Sequence, residues 1–227
     1  MQNTRVYLKI VRALCCALCV LLSTSLTAAR AAVGHDSGEA PVILVVGDSL
    51  SAAYNLAEEQ GWVALLSQRM EALKYPHRVV NASVGGATTA AALQRFPVLV
   101  KEYKPAMVIL QIGANDGLQG KPVPYITANI EKLILQAQAG AAQVLLVGVQ
   151  LPPNFGARYT QPFFQQYQSL ATKHQLAYVP FLLEGVATQK ELMQKDGLHP
   201  TAEAQPIILD VVWPVLQGMV SHKASAD

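Results

Sequence analysis

The chain has 227 residues, 52% of them apolar, and a formal charge of +2 at neutral pH. That is enough for one domain with a core of its own, and nothing suggests a second. No Lys/Arg cluster is placed to track a phosphate backbone, which excludes nucleic acid as a partner. All three cysteines, Cys15, Cys16 and Cys19, lie near the start, so the rest of the chain has no disulfide, thiol nucleophile or cysteine-bound metal.

In chain order, Arg5, Lys9 and Arg12 precede the apolar run 13–22, and Ala29-Arg30-Ala31 supplies an A-x-A site. This layout predicts a secretory signal peptide over 1–31, cut after Ala31 with Ala29 as second choice. An uncleaved anchor is disfavoured: the run is shorter than the roughly 20 residues of a spanning helix and fades into Ser23, Thr24, Ser25 and Thr27. Cleavage removes Arg5, Lys9, Arg12 and Arg30 and no acid, turning +2 into −2. Residues 32–227 are then one domain.

The run 41–46 reads as a strand buried on both faces. Helical spacing follows over 56–73, then a short strand at 78–81 and a helix over 89–103. A strand at 106–112, a helix near 125–139 and a strand at 143–149 come next. The chain closes with a helix near 162–174, a brief strand at 177–180 and a last helix over about 201–219, which Pro206 and Pro214 bend or delimit. Such alternation predicts an α/β fold: a three-layer, doubly wound parallel sheet of flavodoxin-like kind, with its ligand site beyond the carboxyl ends of the strands.

Polar clusters fall at those ends. Gly47-Asp48-Ser49-Leu50 follows the first strand, where a tight turn presents a serine hydroxyl; it is not a G-x-S-x-G elbow, and the same residues also serve as ordinary turn or cap chemistry. In Asp196-Gly197-Leu198-His199, a carboxylate three residues before a histidine can reach its Nδ1–H and leave Nε2 to take a proton from serine. The plainer alternative is a loop-stabilising aspartate beside a surface histidine.

Asn81-Ala82-Ser83-Val84-Gly85-Gly86 and Gly113-Ala114-Asn115-Asp116-Gly117 can bring backbone N–H groups and the Asn115 amide to an oxyanion. Donors of that kind contribute about 3 kcal/mol each to acyl transfer. Each cluster alone also reads as a turn or a loop with left-handed residues; four of them at strand ends are harder to dismiss. Gly120-Lys121 lacks the surroundings of a phosphate loop, no G-x-G-x-x-G occurs and no His pair has zinc spacing, so no cofactor or metal is expected.

Gly47-Asp48-Ser49-Leu50, Gly86, Gly113-Ala114-Asn115-Asp116 and Asp196-Gly197-Leu198-His199, in this order, resemble the GDSL, or SGNH, hydrolase family. More narrowly, Gly47 to Tyr54, Gly113 to Gly120, Leu151 to Tyr159 and Asp196 to Pro206 resemble its bacterial periplasmic thioesterase, protease and lysophospholipase members. The resemblance implies an esterase acting on acyl esters and thioesters, with arylesterase, acyl-CoA thioesterase and lysophospholipase activities. It implies Ser49 as nucleophile, His199 as base and Asp196 orienting it. The Ser49 amide, the Gly86 amide and the Asn115 side chain would form the oxyanion hole. One departure is Ala53, where such relatives have glycine; a positive φ there would strain alanine.

Leu118, Leu151, Pro152, Phe155 and Tyr159 offer an apolar wall suited to a medium or long acyl chain, unless some of them merely pack their loop onto the body. The expected protein is a periplasmic monomer acting on acyl esters or thioesters, lysophospholipid among them. Its rivals are a carbohydrate acetylesterase using the same site and a non-catalytic lipid- or sugar-binding protein.

Overall fold

Six consecutive residues, Val42–Gly47, form β1, and all six are buried because a strand pairs along each edge and helices cover both faces of the sheet. The structure, a computed structural model, describes residues 40–220. The expected signal peptide at 1–31, with its cysteines, lies outside the described residues.

After β1 come α1 (Trp62–Ala72), β2 (Arg78–Asn81), α2 (Thr89–Tyr103), β3 (Met107–Gln111) and the short α3 (Ala114–Leu118). Then follow α4 (Val123–Ala139), β4 (Gln143–Val147), α5 (Ala157–His174), β5 (Ala177–Val179) and α6 (Gln205–Met219). The five strands are parallel in the order β2-β1-β3-β4-β5, the doubly wound order expected. Leu44 stands between Val80 and Val108 in register, and Leu145 faces Ile109 and Ala177.

Right-handed crossovers distribute the helices. The chain steps one way from β1 to β2 and the other way from β2 through β3, β4 and β5, so α1 and the helices α2, α4 and α5 cover opposite faces. α6 returns beside α1, where the Trp62 N–H donates to Gln205 Oε1 at 3.0 Å. In α4, Ile126, Ile130, Leu133, Ile134 and Ala137 recur at helical spacing and are buried as one stripe. Each such aliphatic side chain contributes roughly 1.5–3 kcal/mol on leaving water.

Four helices differ from the sequence expectation. α1 begins at Trp62 rather than at 56, because the chain first makes the 3₁₀ turn Glu58–Gln60 and Gly61, at φ −68 and ψ 148, is extended. α5 begins at Ala157, five residues early, because Pro162 lies close enough to its open first turn to sacrifice only one internal hydrogen bond. α6 begins at Gln205, with 202–204 as a turn and Pro206 in the first helical positions, where its missing N–H has no partner to lose. α3 was expected as a loop.

Candidate active site

β1 delivers a tight turn in which the N–H groups of Ser51 and Ala52 both donate to the Asp48 carbonyl, at 3.2 and 3.0 Å. The other strand ends hold this turn. From the end of β3, Gln111 Nε2 donates to Asp48 Oδ1 (3.0 Å) and Gln111 Oε1 accepts from Ser51 Oγ (2.7 Å). From the end of β2, Asn81 Nδ2 donates to the Ser51 carbonyl (2.8 Å). Ser49 is thereby fixed at the point where strand order reverses between β1 and β3, the place where such sheets bind ligands.

Asp48 is fully buried, accepts the Leu50 N–H at 3.1 Å, and leaves Oδ2 without a partner. Burial pushes its carboxyl up to about 6, against the opposing pull of the Leu50 N–H and Gln111.

Opposite Ser49, the loop after β5 supplies His199 and Asp196. Asp196 Oδ1 accepts the N–H groups of Leu198 and His199 at 2.9 and 3.0 Å, and its Oδ2 lies 2.7 Å from His199 Nδ1. His199 Nε2 is 2.8 Å from Ser49 Oγ. The three predicted residues therefore form one hydrogen-bonded line. Partial burial acts to raise the Asp196 carboxyl, but the His199 ring and two backbone N–H groups outweigh it and hold the group down at about 2. A carboxylate so held favours the tautomer with the proton on Nδ1, and Nε2 can then accept from the serine hydroxyl.

The donor candidates converge on the same end. Asn115 sits in α3 and gives one amide hydrogen to the Ala87 carbonyl at 3.0 Å, which leaves the other available. Gly86, next to Ala87, takes φ +73, a conformation L side chains rarely adopt, in a loop docked by Val84 N–H on the Gly47 carbonyl (3.1 Å). Behind α3, the buried Asp116 accepts the Thr89 N–H at 2.7 Å and its hydroxyl at 2.8 Å, binding α3 to the start of α2.

A cavity of about 210 Å³ opens beside Ser49 and His199. Leu118, Leu151 and Pro152 line it as expected. Phe155 and Tyr159 do not: Phe155 belongs to the 3₁₀ turn Pro153–Phe155, and Tyr159 turns its hydroxyl to the Lys121 carbonyl (2.6 Å) and its ring toward Phe163. In their place stand Phe181, Leu183 and Leu198, which the sequence reading missed although the apolar run after β5 signals the first two. Also missed was Tyr54, whose ring lies over the His199 imidazole with centroids 4.2 Å apart. Ala53, just before it, takes φ +54, so the positive φ that favours glycine is adopted by alanine.

Several known proteins resemble this chain. Esterase TesA of Pseudomonas aeruginosa is 47% identical over 181 residues, covering 80% of this chain and 90% of its own. The thioesterase 1/protease 1/lysophospholipase L1 of Escherichia coli K12 is 36% identical, covering 81% and 86%. A crystal structure of TesA superposes with a TM-score of 0.77 at 47% identity, covering 79% of this chain and 99% of its own. Residues 45–206 match the GDSL-like Lipase/Acylhydrolase family along most of the described sheet, and the chain belongs to that family.

Proposed function

We propose that the chain is a serine esterase that hydrolyses acyl esters and thioesters through an acyl-enzyme on Ser49. The observation that carries the reading is the line Asp196–His199–Ser49, with its 2.7 and 2.8 Å links, opening onto an apolar cavity. Ser49 Oγ attacks the acyl carbon while its proton passes to His199 Nε2, and the imidazolium is stabilised by Asp196. The tetrahedral oxyanion lies among the Ser49 amide, the Gly86 amide and the free Asn115 N–H. His199 then protonates the departing alkoxide or thiolate, and water takes the serine's place in the second half-reaction.

The acyl chain occupies the cavity lined by Leu118, Leu151, Leu183 and Phe181. That apolar lining favours a medium or long alkyl chain over acetyl, and makes lysophospholipids and aryl esters suitable substrates. Residues 32–227 act as the mature domain, exported to the periplasm after loss of 1–31, where lipid esters rather than cytosolic acyl-CoA are at hand. The names borne by the two relatives support esterase, thioesterase and lysophospholipase activity.

The test is a hydrolysis panel on the mature chain: p-nitrophenyl esters from acetyl to palmitoyl, an acyl-CoA and a lysophospholipid, each with Ser49→Ala beside it. A Ser49-dependent optimum at medium or long chains is expected. A sharp acetyl preference overturns the lipid reading in favour of an acetylesterase, and turnover that persists in Ser49→Ala overturns the mechanism.

A further inference from the structure

Ser49 and His199 lie 150 residues apart, on a turn after β1 and a loop after β5, strands that are not neighbours in the sheet. Something must fix one loop against the other. One side chain does so, with two bonds across the gap and a third to its own loop. Gln194 Nε2 donates to the Tyr54 carbonyl at 3.0 Å and to the Pro200 carbonyl at 2.9 Å, while Gln194 Oε1 accepts from Asn55 Nδ2 at 3.4 Å. Its backbone is bound into the same loop, the Gln194 N–H donating to the His199 carbonyl at 2.7 Å.

The nucleophile turn is shaped to meet this amide. Ala53 and Asn55 both take positive φ, at +54 and +58, and Tyr54 between them offers its carbonyl to Gln194 and its ring to His199. Both amide hydrogens of Gln194 are thus used, one on each loop. No carboxylate could replace them, because an ionised oxygen would face two carbonyl oxygens with nothing to donate.

We propose that Gln194 is a positioning residue that clamps the nucleophile turn to the histidine loop and so sets the Ser49–His199 approach. This rests on the Ser49–His199 relay proposed above. It touches neither substrate nor the reacting atoms; it acts through Tyr54, in the turn after Ser49 with its ring over His199, and through Pro200, which follows His199. A proton transfer across 2.8 Å is sensitive to such support, since a displacement near 1 Å lowers rates by roughly 100-fold.

The experiment compares wild type with Gln194→Met, which keeps the volume and loses every bond, and Gln194→Glu, which keeps the length and the acceptor for Asn55. On a soluble p-nitrophenyl ester, both variants are expected to lose roughly 10- to 100-fold in kcat with KM within about threefold. The rate of fluorophosphonate labelling, which reports serine reactivity without deacylation, should fall in parallel. The low-field imidazole proton of His199 should broaden or shift in the NMR spectrum. Thermal midpoints identify folded protein, and if Gln194→Met fails to fold, Gln194→Glu decides. A folded variant that keeps kcat and labelling within twofold of wild type overturns the clamp, as does a loss that only tracks the unfolded fraction. Ser49→Ala runs alongside: if it stays active the relay itself fails, whereas a dead Ser49→Ala beside a fully active Gln194→Met sinks the clamp alone.

Discussion

The methyl group of Ala53 occupies the space a side chain at Gly61 would need: a Cβ built on Gly61 falls 2.8 Å from the Ala53 Cβ. Gly61 has φ −68 and ψ 148, which any residue adopts, so its smallness answers to its neighbour and not to its own backbone.

Gly61→Ala is therefore expected to destabilise the chain by about 1–3 kcal/mol through overpacking. In an Ala53→Gly background the nearest atoms left are at 3.4 Å or more, and the same substitution should cost little. Urea unfolding of the four proteins gives the coupling; simple additivity would show that the two sites are independent.

Asp48 gives a pH-dependent expectation. In the folded chain its carboxyl keeps a proton up to about pH 6, against an ordinary 3.8, so the folded state binds that proton more tightly. Stability from this group falls as pH rises from about 4 to 6, and its cost is fully present above that. Asp48→Asn removes the charge and keeps an oxygen for Leu50 and Gln111. Its stability relative to wild type should improve between pH 4 and pH 7, by on the order of 3 kcal/mol at most. Parallel stability curves across that range would rule out a buried charge.

Asp116 holds two donors of Thr89 at the N-terminus of α2, where the helix dipole adds to the attraction. Asp116→Ala leaves both donors buried without a partner and is expected to cost about 3 kcal/mol in chemical denaturation. Because Asn115 is the preceding residue, kcat should also fall while some protein remains folded. A loss below about 1 kcal/mol would mean that α3 is held by other contacts.

Asn115→Ala tests the oxyanion donor separately. Removal of one such donor lowers kcat by roughly 100- to 1,000-fold with KM nearly unchanged, because the interaction strengthens only in the transition state. Steady-state kinetics on a p-nitrophenyl ester reads this directly, and an effect confined to KM would place Asn115 in ground-state binding.

The strands and the polar clusters at their ends could be read from the sequence because each is local: a fully apolar run marks β1, an apolar run ending in Gln111 marks β3, and Asp196 reaches His199 across three residues. What escaped was made by tertiary partners. Gly113-Ala114-Asn115-Asp116-Gly117 looks like a loop, yet it folds as α3 because Asp116 is tied to Thr89, and Gly113 enters the helix at φ +121 against the Tyr167 hydroxyl. Gln194 carried no signal, as its Tyr54 partner lies 140 residues away. Phe155 and Tyr159 were apolar in the right region, but their direction was set by the path of the chain into α5, which sequence spacing does not record. The left-handed φ at Ala53, by contrast, was raised by the family resemblance, since glycine stands at that position in such relatives.

The order of the strands has a consequence for the newborn chain. Ser49 leaves the ribosome 150 residues ahead of His199, the base proposed for it, and β5 must be in place at the far edge before the two can meet. Until then the hydroxyl is an ordinary alcohol, inert toward any lipid it passes. Reactivity switches on at the last act of assembly, so a labelling reagent added during refolding would count finished molecules and ignore every earlier form.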